Sequence, residues 1–598
     1  MDRNDGAAAQ MAADWLARLS DALVRGDANA AAALFGDVSY WRDLIAFTWN
    51  IATFEGRTAI RDMLAGTLAA TRPERWRIDG TPEITDGVIT AWFNFDTTLG
   101  QGRGCFRLKE GAGWTMFTAL LELKGHEEKR GATRDEGIEL GAKRGRLSWQ
   151  ERHDREVATL GRTHQPFCVI VGASQCGLGL AARLKQLNVP TIVVDKFERP
   201  GESWRARYKS LCLHDPVWVD HMPYLPFPDH WPVYAPKDRM ADWLEMYAKI
   251  MALNVWCSTN CDRAVYDEGS GEWRVEVTRA GERLTLRPRH LVLATGLSGM
   301  PQMPTFAGAR EFGGTLVHSS RYRGADGFAG KNCVVVGSNN SAHDICADLW
   351  EQGAQVTMVQ RSPTLVARLA SVRKVSDAGP FSEAGVRAGI TTDQADLGAA
   401  SMPFALMHHG PIANYKRIRQ WDKEFYDRLA RAGFKFHFGE DESGVLMMFL
   451  RRASGYYIDV GASDLIADGK IKLKSGVDVV RLAPSSAILS DGSELAADLV
   501  VCATGFATME SWAAQLISPE VAAKVGRCWG LGSGTRDDPG PWQGELRNMW
   551  KPTRQPGLWF HGGNLAQARH YSRYLALQLK ARYEGLPTPV FGQVGNRD

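Results

Sequence analysis

The stretch FCVIVGASQCGLGLAARLKQLNVPTIVVDK, residues 167–196, decides the architecture. An apolar run leads into a glycine turn at Gly172, then an amphipathic segment, then a second apolar run that ends on Asp195. That order predicts a βαβ nucleotide-binding unit. Glycine lets the backbone approach a pyrophosphate, and the helix start behind it offers unpaired N–H groups and a positive dipole end. Gly172, Ser174, Gln175 and Gly177 are the candidate phosphate-side residues, with Ser174 standing where the middle glycine of the pattern is usual. Asp195 lies 23 residues after Gly172, where a carboxylate accepts both ribose hydroxyls and disfavours a 2′-phosphate; Lys196 follows it.

The same grammar returns in KNCVVVGSNNSAHDICADLWEQGAQVTMVQRS, residues 331–362. Here Gly337, Asn339, Asn340, Ser341 and Ala342 make the turn, and the second apolar run ends in Arg361 and Ser362, not in an acid. A guanidinium presents a planar fork of donors to a phosphate, so this unit suits a 2′-phosphate. Together the units predict FAD in the first and NADPH in the second, with NADH a weaker donor.

Two further apolar runs, LVLATGLSGMP (291–301) and LVVCATGF (499–506), end alike, which adds Thr295, Gly296, Thr504 and Gly505 to the candidate cofactor residues. Near the C-terminus, GLWFHGGNLAQARHYSRYLALQLKA reads as a strand, a turn at Asn564 and a long helix whose start faces a cofactor edge. The segment before 126 is different: an Ala-rich helix over 8–35, a second over 58–70, and four alternating runs that read as an antiparallel sheet. The predicted fold class is α/β, two Rossmann-like dinucleotide-binding domains preceded by a small α+β cone. The expected division is a cone over 1–125, a charged linker over 126–164, an FAD-binding part over 165–318, an NADP-binding domain over 319–500 with an insertion at 370–460, and a second FAD-binding part over 501–598. The aromatic residues of the insertion, from Trp421 to Tyr457, are read either as substrate-facing or as plain core.

Charge narrows the partners. Lys plus Arg (71) nearly balances Asp plus Glu (68) without basic runs, so nucleic acid is not expected and a small molecule is. No stretch offers about 18 uninterrupted apolar residues and the start carries acids, so a cytoplasmic protein without membrane contact is expected. The ten cysteines include no CxxC pair, which argues against a metal knuckle and against the dithiol of a disulfide reductase.

FGGTLVHSSRY, residues 312–322, lies between the two units. Its Phe312, Gly314, His318 and Tyr322 resemble the FxGxxxHxxx(Y/F/W) fingerprint of class B flavin-containing monooxygenases, and the resemblance covers roughly residues 165–585. GESWRARYKSLCLHDPVWVDHMPYLPFP (201–228) resembles the flavin-side segment of the plant YUCCA enzymes, which makes Trp204 and Arg205 cofactor candidates. SYWRDLIAFTWNIATFEG resembles the SnoaL-like extension of type II members. Arg42 and Asp43 within it are readable as an independent catalytic pair, but such extensions are expected to shape a subunit contact, as in a homodimer, or to cover the substrate entrance. Where many heteroatom-oxygenating members carry an Asn, this chain has Leu213-His214-Asp215-Pro216.

The resemblance implies that NADPH reduces FAD, that O2 then adds at the flavin C4a position, and that NADP+ stays to shield the product from water. His214, Asp215 and His318 are the candidate catalytic residues. His214 and Asp215 would position or protonate the oxygenated flavin, and His318 would hold the linker between the domains. The missing Asn and the extension favour Baeyer-Villiger oxidation of a ketone to an ester or lactone. N- or S-oxygenation of soft nucleophiles, YUCCA-like decarboxylation of a 2-oxo acid, and NADPH-dependent flavin reduction without oxygenation are the alternatives. A binding protein built on the cone is the remaining non-enzymatic reading. No metal is expected.

Overall fold

The computed structural model describes residues 3–592. Its centre is the first βαβ unit. Strands Cys168–Val171 and Thr191–Val194 lie parallel in a five-stranded sheet whose order continues to Val255–Trp256 on one side and to His290–Leu293 and Leu558–Phe560 on the other. All its pairings are parallel, and its strands are nearly wholly buried, as a sheet covered on both faces requires. A second parallel sheet follows the order Thr315–His318, Leu499–Cys502, Asn332–Val336, Gln355–Gln360, Lys472–Ser475. The strand Thr315–His318 corrects the expected boundary at 318, because it pairs with Leu499–Cys502 and so belongs to the second sheet. At four residues it carries no periodicity of its own.

The segment before 126 packs three helices, Arg3–Val24, Ala28–Ala32 and Gly56–Thr71, on a six-stranded sheet. Two of its strands, Phe35–Leu44 and Ile51–Glu55, are additions to the four expected ones, and Phe35–Leu44 runs parallel to Ala112–Leu123, so the sheet is mixed. They escape the pattern because Arg42 and Asp43 look like surface residues, yet both are fully buried. The interior is filled by rings: Trp15 meets Phe35 edge-on and lies tilted against Phe106, and Trp41 meets Phe47 edge-on. The expected linker also holds a helix, Trp149–Thr159, started by a reciprocal cap between Ser148 and Glu151.

Arg42 and Asp43 hydrogen-bond to different partners, not to each other. Asp43 accepts hydrogen bonds from Phe47 N, Thr48 N, Thr48 Oγ1 and Thr118 Oγ1, while burial pushes its carboxyl up to about 6. Arg42 crosses to the C-terminal part, where its Nε and Nη2 donate to Glu545 at 2.6 and 2.8 Å. The guanidinium also donates to Ala400 O and Tyr571 Oη and lies 4.6 Å from the Phe404 ring centre. Burial works against this charge, but Glu545 outweighs it and holds the guanidinium above its ordinary value.

Within 370–460 most of the aromatic residues are core. Phe425, Tyr426, Phe434, Tyr456 and Tyr457 are buried in one cluster with Val335 and Met358 of the second sheet, and exposed Trp421 sits under Lys374. The ten cysteines are free thiols, all buried except Cys212 and Cys257. Among the described residues no group of His, Cys, Asp and Glu could hold a metal ion, and no helix is long and apolar enough to cross a membrane.

Replacing Glu545 with Ala leaves the Arg42 charge buried without its carboxylate, a change that costs about 3–5 kcal/mol in comparable sites. Thermal melting should show a clear loss, largely recovered in an Arg42→Met/Glu545→Leu double variant. An unchanged melting temperature for Glu545→Ala would show that the pair does not hold the N-terminal segment to the core.

Candidate active site

The first glycine turn is closed on the first Ala-Thr-Gly ending. Gly172 has φ +116°, and a Cβ there would stand 2.5 Å from Ala294 O; one at Gly177 would stand 1.8 Å from Gly172 O. No other residue fits at either place. The helix Gln175–Gln186 begins at Ser174, a residue that usually caps, yet its side chain donates to Gln175 Oε1 and caps nothing. Asn339 leads the helix Asn340–Glu351 in the same way, without a side-chain cap, behind Gly337 at φ +126°. Elsewhere Ser148, Thr391, Ser518 and Asn564 do cap their helices. The two dinucleotide turns thus keep their first-turn N–H groups for something outside the chain, as a pyrophosphate needs.

Around the first turn, Trp204 Nε1 donates to Gln175 Oε1 at 3.1 Å. Asp195 accepts from Ala173 N and Phe197 N at 2.6 and 2.9 Å, which ties the second strand to the turn. Burial raises its pKa against those two donors. Thr295 Oγ1 and Trp512 Nε1 are buried without a partner beside the Thr295–Gly299 turn, two polar atoms that a ligand would satisfy. Lys196 lies over the Phe197 and Trp512 rings. The residues present therefore fit FAD.

In the second unit Asn340 Oδ1 accepts from Ile458 N, and Ala342 is buried in the core. Ser341 lies beside the Tyr208 hydroxyl. Arg361 and Ser362 are exposed at the strand end, and among the described residues Arg361 pairs only with Asp478, at 3.4 Å. That guanidinium is open to a phosphate, so the site fits NADPH.

The two Ala-Thr-Gly endings meet. Gln302 N and His318 Nε2 both reach Gly505 O at 3.0 Å, Thr504 Oγ1 donates to Gln302 O, and Ala507 N donates to Met300 O. Ser320 N donates to His318 Nδ1, so the proton sits on Nε2 and burial keeps the ring neutral with its pKa lowered. Both ring nitrogens are engaged at the junction, which makes His318 a strut. Gly313 and Gly314 do not make a positive-φ turn; Gly314 is needed because a Cβ would stand 2.5 Å from Asp498 O. At the other end of the fingerprint, Tyr322 Oη donates to Asp348, and Tyr208 Oη from the flavin-side segment donates to Asp344, one turn earlier on the same helix.

Asp215 meets the C-terminal turn, where Asn564 Nδ2 stands 3.4 Å from its Oδ2 while Asn564 Oδ1 caps the helix Leu565–Tyr583. His214 faces the edge of Tyr456 at 6.2 Å. Neither residue contacts His318, so the three candidate catalytic residues do not form one group. Arg205 turns away as well: Asp242, Glu245 and Pro200 O occupy its donors. The sequence reading passes over Arg207. Its side chain makes no ion pair or hydrogen bond among the described residues, lies 5.2 Å from the Phe506 ring centre, and is near enough to lower the pKa of His318. Residues two apart at the end of a helical turn point to different sides, a signal that separates the two arginines once the helix Glu202–Arg205 is placed.

A family profile described as pyridine nucleotide-disulphide oxidoreductase matches residues 169–378. The indole-3-pyruvate monooxygenase YUCCA1 of Oryza sativa subsp. japonica is 30% identical over 368 residues, 61% of this chain and 83% of the relative. The probable indole-3-pyruvate monooxygenase YUCCA3 of Arabidopsis thaliana is 30% identical over 352 residues, 58% of this chain and 74% of the relative. An open crystal structure of cyclohexanone monooxygenase is similar in fold, with a TM-score of 0.50 at 16% identity over 71% of this chain and 89% of that one. With two dinucleotide turns, a fingerprint that docks one on the other, and a relative matched over most of its length, the chain belongs to the class B flavin-containing monooxygenases, FAD-dependent enzymes that draw electrons from NADPH.

Proposed function

We propose that the protein inserts one oxygen atom of O2 beside the carbonyl carbon of a ketone, a Baeyer-Villiger oxidation. The observation that carries this reading is Arg207, a guanidinium without an anionic partner among the described residues, beside Phe506 and His318 where the two Ala-Thr-Gly endings meet. Burial, followed by the nearby Arg323, lowers its pKa, and an arginine there still keeps its charge. Positive charge at the reacting centre favours an anionic oxygen nucleophile, which attacks carbonyl carbon, over a protonated electrophile, which oxidises sulfur or nitrogen. The conversion takes a ketone, NADPH, a proton and O2 to an ester or lactone, NADP+ and water.

Bound in the first turn, FAD supplies the two-electron activation of O2 after hydride delivery from NADPH. The rest falls to the chain. The uncapped start of Gln175–Gln186 binds the pyrophosphate, and Asp195 orients the ribose side. Arg361 takes the 2′-phosphate of NADPH. Arg207 holds negative charge at the reacting oxygen, while Asn564, fixed by its own cap, orients Asp215. His318 keeps the two sheets at a set angle through Gly505.

A second reading is oxidative decarboxylation of a 2-oxo acid, which the YUCCA relatives favour. It begins with the same attack on a carbonyl, and its products are CO2 and the acid one carbon shorter. Purified enzyme incubated with NADPH, O2 and, in parallel, a cyclic ketone, a thioether and indole-3-pyruvate separates the cases. Lactone is expected. Sulfoxide alone overturns carbonyl oxygenation, and CO2 release without lactone selects the second reading.

Arg207→Met should lower lactone formation by about a hundredfold, the loss typical when a group that stabilises developing charge is removed, with FAD content unchanged. A parental rate would remove Arg207 from the site. Arg361→Ala should raise the KM for NADPH by about tenfold or more and leave that for NADH unmoved, since a charge-assisted hydrogen bond contributes about 1.5–3 kcal/mol. Equal effects on both donors would place the 2′-phosphate elsewhere. His318→Ala should divert NADPH oxidation to hydrogen peroxide; unchanged coupling would mean that the strut has no part in the cycle.

A further inference from the structure

Two phenols border His214, one from each nucleotide-binding half of the molecule. Residues 211–213 pair antiparallel with 235–237: Cys212 bridges Pro236, Leu213 N donates to Ala235 O, and Lys237 N donates to Leu211 O. That register sets Tyr234 across from His214. Val217 N donates to Val233 O, so the backbone is held on both sides of Tyr234. The His214 ring also faces the edge of Tyr456, with centres 6.2 Å apart. Tyr456 opens the strand Tyr456–Asp459, which pairs with Thr364–Arg368 through Leu365. Thr364 Oγ1 in turn meets Ser338 Oγ of the second glycine turn at 2.7 Å. Tyr234 therefore comes from the flavin side and Tyr456 from the second nucleotide unit.

Both rings are packed, yet neither hydroxyl is satisfied. Tyr234 Oη is buried and has no hydrogen-bond partner. Tyr456 is 7% exposed, and its hydroxyl makes no hydrogen bond among the described residues. The other tyrosines of the buried cluster around the second sheet all have a partner there: Tyr208 meets Asp344, Tyr322 meets Asp348, Tyr426 donates to Val366 O, and Tyr415 and Tyr457 accept from Val445 N and Val460 N. Burial raises both phenol pKa values and Asp215 adds to each, so both groups keep their protons and remain donors. Asp215 is the residue beside the Asn564 cap, which puts the pair next to the C-terminal turn of the site. A buried hydroxyl without an acceptor is unfavourable, and a carbonyl oxygen, with two lone pairs, satisfies two donors at once.

We propose that Tyr234 and Tyr456 together hold the carbonyl oxygen of the substrate, each donating one hydrogen bond to it. The proposal rests on the carbonyl-oxygenation reading above and adds the residues that recognise its substrate. The same two donors face the negative charge that develops on this oxygen when its carbon is attacked. A thioether offers only a weak acceptor in the same place and gains little from the pair.

Oxidised, FAD-loaded enzyme with NADP+ turns nothing over, so it reports binding apart from chemistry. Cyclohexanone, and methylenecyclohexane as its isostere without oxygen, are titrated calorimetrically into the parent, Tyr234→Phe, Tyr456→Phe and the double variant. Cyclohexanone is expected to saturate the parent. Its affinity should fall about fivefold in each single variant and about tenfold or more in the double, the loss that follows removal of hydrogen bonds between neutral groups. Methylenecyclohexane should bind all four alike. Each substitution removes one oxygen atom and keeps the ring, and circular dichroism with flavin content checks the fold. Failure of cyclohexanone to saturate the parent, parental affinity in the double variant, or an equal loss for methylenecyclohexane would overturn the proposal. Weakened cyclohexanone binding in the variants, in an enzyme that forms no lactone with NADPH and O2, would support the carbonyl site and remove the Baeyer-Villiger reading alone.

Discussion

The carbonyl of Gly505 is the point on which the two nucleotide-binding sheets turn. It accepts from Gln302, which follows the first Ala-Thr-Gly ending, and from His318, which ends the strand leading into the second sheet. Both linkers are therefore fastened to one atom. A neutral imidazole suits this task, because a second proton on Nδ1 would oppose the Ser320 N–H that points at it. The hydroxyls of Tyr208 and Tyr322, on two acids one turn apart, then fix the helix Asn340–Glu351 against the flavin-side segment. The fingerprint histidine and tyrosine thus both bind elements of the second nucleotide unit, His318 at Gly505 and Tyr322 at Asp348.

Much of this was legible in the residues. The two βαβ units are long, strongly apolar and punctuated by glycines whose necessity is steric, so their turns and helices lie where the pattern puts them. The family and its cofactors follow from the same stretches. What the residues hid has physical causes. A charge reads as surface, so the strand carrying Arg42 and Asp43 was invisible until a partner 503 residues away neutralised the arginine. Aromatic residues in 370–460 read equally as pocket or core, because only packing distinguishes them. Arg205 reads as free to face a cofactor, since nothing in WRAR says that Asp242 and Glu245 wait for it.

The N-terminal segment acts through its edges. Its interior is occupied by rings, and its reach into the rest of the chain includes Arg42 and Arg107, which hold Ala400 and Ser401 at the end of the helix Thr392–Ala400. That helix is in turn bound to Leu565–Tyr583 by the buried Arg569–Asp396 pair. Three segments far apart in sequence share one desolvated network, in which each ion pair depends on its neighbours to exclude water.

The outer strand Leu558–Phe560 has a consequence for how the molecule is made. On the ribosome, every strand of the second sheet emerges before it, since the last of them is Leu499–Cys502. The second sheet can close during synthesis, while the first stays one strand short until Leu558–Phe560 has emerged. The first sheet, interrupted in sequence by the second, is thereby completed after it.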